Sequence, residues 1–171
     1  HTSKDAPLVY PGQPDAAHDH VFFGNPIVDA HTTVADLSDA NRTTCDGKTL
    51  NRSAYWVPAL YDGQGARIEY VKPLFYYKTG YHVPAKSIEP PPEGLRMIAG
   101  NAHATAPQGT RVGKFRCASW QADRAWFDPG DPLDHVDYLP DCALDDLLEA
   151  RVVFPQCWDG RTLSAPDNQS H

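Results

Sequence analysis

Hydrophobic and polar positions alternate over short distances in this chain, and no apolar stretch holds one period for long. The run His18-Asp19-His20-Val21-Phe22-Phe23-Gly24-Asn25 ends in two aromatics and a Gly-Asn stop, which reads as a strand. Further strands are expected over 53–61, 67–71, 74–77, 95–100, 115–120 and 151–154. The Asp62-Gly63-Gln64-Gly65 turn predicts a hairpin between 55–61 and 67–71. Lys72-Pro73 marks a kink or sheet edge before 74–77. Two short helices are expected. One covers 34–40, because Thr33 and Asp36 have capping-box spacing. The other covers 144–150, where Leu144, Leu147 and Leu148 recur at helical spacing behind Asp141 as N-cap. Residues 1–17 read as an extended lead-in, and 121–141 as an irregular surface segment in which His135 is solvated.

These elements predict a mainly β fold with a minor helical part. An antiparallel sheet or sandwich-like core with long loops is expected, in a single domain spanning 1–171. Sixteen prolines and twelve glycines support short strands over long helices. The formal net charge of −7, with no basic run, argues against a nucleic-acid partner, since phosphate binding needs clustered Lys and Arg. No apolar run approaches the roughly 18 residues of a membrane span. A monomer is expected.

Four cysteines, Cys45, Cys117, Cys142 and Cys157, lack paired C-x-x-C zinc spacing and suit two disulfides in an oxidising compartment. The three possible pairings stay open. With low Lys and many aromatics, the chain reads as secreted.

Four stretches together carry a resemblance. They are Pro11-Gly12-Gln13 leading to His18-x-His20; Ser53-Ala54-Tyr55-Trp56-Val57-Pro58 with Leu60-Tyr61; Gly94-Leu95-Arg96-Met97-Ile98-Ala99-Gly100; and Phe154-Pro155-x-Cys157-Trp158-Asp159-Gly160. In order and spacing they resemble the secreted family of actinobacteria and fungi catalogued as domain of unknown function nineteen-ninety-six. The resemblance covers nearly the whole chain and implies secretion and disulfides, but no settled activity. Relatives end the next segment in D-x-x-S-H, here Asp167 to His171, and many carry a histidine where this chain has Asn168. Relatives also run on past the position of His171, so a longer protein is expected.

The polar residues on these motifs suit two chemistries. In one, His18, His20 and His171 hold a divalent metal, zinc or copper, through neutral imidazoles. A zinc-like site would keep one position open for a water that attacks the substrate. In the other, Asp159 and Asp167 supply acid and base for glycosidic cleavage, with Arg96 and Tyr55 in the catalytic set. Trp56 and Trp158 would stack on sugar rings, although strand aromatics are more often core. Arg96, inside an apolar run, is expected in the site or in a buried ion pair. Asp159-Gly160 is equally a turn dipeptide. The function expected is that of a secreted hydrolase acting on extracellular polysaccharide. The competing reading is a non-catalytic carbohydrate- or surface-binding module.

Overall fold

The computed structural model describes residues 1–46, 50–71, 73–77, 83–119 and 135–167. They fall into two compact units, His1–Gly94 and Leu95–His171. Both are built mainly from antiparallel strands, as the sequence pattern predicts.

The first unit holds a three-stranded sheet in the order β1 (Thr2–Ser3), β2 (His20–Gly24), β3 (Ala54–Pro58). The central strand shows the reason for its alternation. His20, Phe22 and Gly24 are buried, while Val21 and Phe23 face the other, more open side. Phe22 stacks on Trp56, its register partner on β3, with ring centroids 5.5 Å apart, and His1 stacks on it at 4.9 Å. Burying a Phe side chain of this kind contributes about 2 kcal/mol. On the opposite face Phe23 meets Tyr70 edge-on and Phe75 at a tilt, and Tyr55 stacks on Phe75 at 3.9 Å.

Gly24 ends β2 with φ +79°, and a Cβ there would sit 2.3 Å from the Ser53 carbonyl oxygen. Only glycine fits this close crossing. The next residue, Asn25, is 1% exposed and ties three segments together. Its Nδ2 donates to the carbonyls of Leu37 and Arg52, and its Oδ1 accepts from the Ile27 amide. Leu37 lies in α1 (Val34–Asp39), which starts at the expected Thr33–Asp36 capping box. The expected hairpin beyond β3 is reduced to one bridge, Tyr61 with Arg67, plus an Ile68 amide donating to the Leu60 carbonyl. No strand forms over 74–77, where Pro73 removes a ladder donor just upstream.

In the second unit β4 (Gly113–Ser119) pairs with β5 (Asp146–Val152) from Gly113↔Val152 to Ser119↔Asp146. Here the helix expected over 144–150 is overturned. Leu147, Leu148, Glu149 and Ala150 favour helix locally, but Glu149 faces Arg116 across the ladder, and pairing with β4 outweighs propensity. The segment 95–100 is not a strand either; there the Arg96 amide donates to the Leu163 carbonyl. The expectation of two disulfides is corrected to one, Cys117–Cys142, which joins β4 to the approach of β5. Their Cα atoms are 5.4 Å apart, an ordinary span for the bridge. Cys45 and Cys157 are free thiols.

Candidate functional site

The two histidines of the H-D-H stretch come together, although only His20 belongs to β2. His18 precedes the strand and is exposed, yet its ring lies 4.4 Å from that of His20, tilted by 50°. His20 is 7% exposed, and its Nδ1 donates to the Asp5 carbonyl at 2.9 Å. A carbonyl oxygen can only accept, so Nδ1 carries the proton and Nε2 keeps its lone pair. Burial holds the His20 imidazole below its usual pKa, opposed by the bond to Asp5 and reinforced by His18. It is therefore neutral at neutral pH, the form that ligates a metal or accepts a proton.

The Asp5 turn that supplies this carbonyl is itself fixed. Ser3 Oγ donates to Asp5 Oδ2 at 2.6 Å, and the Asp15 amide donates to Oδ1 at 3.2 Å. Asp19 accepts a 2.5 Å bond from the Tyr61 hydroxyl. That bond to Asp19, the largest cause, raises the Tyr61 pKa.

Tyr55 and Trp56 are adjacent on β3 and face opposite ways. Trp56 packs on Phe22 in the histidine-bearing face. Tyr55 exchanges hydrogen bonds with Asn51 and meets the Tyr77 hydroxyl at 2.7 Å. Burial, then the bond to Tyr55, raises the Tyr77 pKa. Tyr77, 63% exposed, leaves aromatic surface beside Tyr55, and Tyr76 is 56% exposed.

The remaining expected site residues lie in the second unit. Arg96 is exposed, which corrects the expectation of a buried ion pair. Asp159 is the hub of a turn. Its Oδ1 accepts from the amides of Arg161 and Thr162, its Oδ2 from the Thr162 hydroxyl, and Gly160 has φ +74°. Trp158, 39% exposed, closes the same turn by donating from Nε1 to the Thr162 carbonyl at 2.8 Å. Asp167 is exposed. His171, the third histidine of the metal reading, lies outside the described residues. Among the described residues no group of three or more His, Cys, Asp or Glu has the geometry to hold a metal ion.

One cluster escaped the sequence reading. His135, expected in solvent, has a side chain only 7% exposed, set against Glu149. Glu149 accepts from Arg116 and Arg151. Burial pushes its pKa up, but the two guanidiniums outweigh this and hold it below the usual value. Its sequence neighbours gave no sign of this, because the partners come from strands far along the chain.

The family model described as a domain of unknown function, DUF1996, matches residues 6–171. The chain belongs to that family. No curated protein and no solved structure gives a significant match. No helix among the described residues is long and apolar enough to cross a membrane. Membership of the DUF1996 family carries no activity with it, so function has to be argued from the side chains.

Proposed function

We propose that this DUF1996 chain is a secreted hydrolase acting on extracellular polysaccharide, with His18 and His20 as the anchor of a divalent metal. The observation that carries this is the pre-set pair. The two rings are in contact, and His20 is locked by Asp5 in the tautomer that frees Nε2. An outer partner on the far ring nitrogen is how metal-binding histidines are held in other proteins. A zinc-like ion would supply a water of lowered pKa as the hydrolytic nucleophile. The chain's own part is to keep His20 neutral by burial and oriented by the Asp5 carbonyl, with His18 completing the pair at the surface. The Cys117–Cys142 bridge supports an oxidising compartment and hence secretion. The carboxylate mechanism is less supported, because Asp159 already accepts three bonds within its turn.

A second reading, a carbohydrate-binding module, is favoured by the exposed Tyr76 and Tyr77 beside the Tyr55–Phe75 stack. One experiment separates the two. Metal content is measured by elemental analysis on tag-free protein, for wild type and the His18→Ala/His20→Ala double variant. Stoichiometric zinc or copper in the wild type, lost from a folded double variant, is the expected result. Protein that takes up no metal from added salts, yet sediments with insoluble polysaccharide, would overturn the hydrolase in favour of the module.

A further inference from the structure

The second unit holds a charged cluster that the proposed function does not use. Lys114 pairs across the ladder with Arg151, and Arg116 with Glu149. Strand alternation puts all four side chains on one face. Arg116 Nε donates to Glu149 Oε2 at 2.7 Å, and Arg151 Nη2 to Oε1 at 2.7 Å. Against this face lies His135, with Nε2 buried, without a hydrogen-bond partner among the described residues, and 3.7 Å from Glu149 Oε1. That separation is too long for a hydrogen bond. The backbone beside it is fastened to the edge of β4 away from β5. The Phe115 amide donates to the Val136 carbonyl at 2.8 Å, and the Val136 amide returns a bond to the Phe115 carbonyl at 2.9 Å.

We infer that residues 135–137 form an acid-released strap on β4, seated while His135 is neutral and let go when His135 takes up a proton. A neutral imidazole tolerates this position at the cost of one unmet nitrogen. An imidazolium would be a further buried cation beside Lys114 and Arg116 on β4 and Arg151 on β5. The one carboxylate facing it from the sheet, Glu149, already serves two arginines; Asp137, on the strap itself, is exposed. Burial first, then Arg151 and Lys114, hold the His135 pKa below its ordinary value of 6.5, with Glu149 only partly offsetting them.

The sign follows from linkage. A histidine whose pKa is lower in the seated form favours seating fully above about 6.5, and that contribution is lost as pH falls toward the seated pKa. Within that window strap opening rises about tenfold per pH unit. Opening frees the N–H and C=O of Phe115, so acid exposes a pairing-competent strand edge. This inference is independent of the histidine pair in the first unit.

The test is amide hydrogen exchange by NMR between pH 7 and pH 5, corrected for intrinsic exchange rates. In the wild type, protection at Phe115 and Val136 should start to fall below about 6.5, by up to about tenfold per pH unit until the seated pKa is reached, while the β4–β5 ladder amides stay protected. His135→Phe should hold both amides protected across the range; His135→Gln, also without a titrating ring, serves if the Phe variant does not fold. Wild-type protection that stays flat, that falls equally in the variant, or that falls together with the ladder would overturn the strap.

Discussion

At the scale of single residues, Gly24 and Asn25 fix how the chain leaves β2. Gly24→Ala would place a methyl against the Ser53 carbonyl and force a non-glycine residue to positive φ. A loss of about 2 kcal/mol or more is expected, since strain and overlap add. Urea denaturation of the variant checks this; a loss below about 0.5 kcal/mol would mean the crossing relaxes freely. Asn25 matters for a different reason. It is the most deeply buried polar side chain described, and its amide answers two carbonyls and one N–H from three separate segments.

At the scale of elements, what could be read from sequence depended on whether the signal was local. The Thr33–Asp36 spacing is a local signal and the helix is where it predicts. Asp36 has its pKa lowered by the Thr33 hydroxyl and amide, as a working cap should. Thr33→Ala is expected to cost about 1 kcal/mol, read as a shift in the denaturation midpoint at unchanged slope. The alternation in β2 was equally legible and puts His20 on its buried face, while the His18 ring meets it from outside the strand. By contrast, 144–150 carries leucines at helical spacing, yet from Asp146 onward it belongs to β5, because the decisive partner, Arg116, is contributed by another strand. His135 fails for the same reason. Its neighbours in sequence are acidic, but its neighbours in space are Lys114, Arg116, Glu149 and Arg151. The Trp158-Asp159-Gly160 motif carried both a turn and a catalytic reading, and its hydrogen bonds fill the turn.

For the whole molecule, covalent and polar ties supplement small sheets. The buried hydrophobics among the described residues are few: Ala6, Phe22, Val28 and Ala30 in the first unit and Ala165 in the second. The two-stranded sheet in the second unit would be marginal alone, as isolated strand pairs are. Cys117–Cys142 closes a loop with a sequence separation of 25, and a loop of that size stabilises by roughly 3 kcal/mol through the entropy it removes from the unfolded chain. Reduction should therefore lower hydrogen-exchange protection across β4 and β5 by about a hundredfold, measured by NMR before and after adding reductant. Unchanged protection would mean the ladder and the Glu149 ion pairs suffice.

The strand pairings also bear on how the chain reaches this structure. Thr2 pairs with Val21, Phe22 with Trp56 and Cys117 with Leu148, and no tight two-residue hairpin joins any of the named strands. Each sheet must close a long loop before its first contact forms. Such high contact order places folding in the millisecond-to-second range, with strand edges open throughout the search. Cys142 lies inside the loop that the Cys117–Leu148 pairing has to close, so a Cys117–Cys142 bridge formed ahead of the ladder would leave only the short stretch after Cys142 to be brought in.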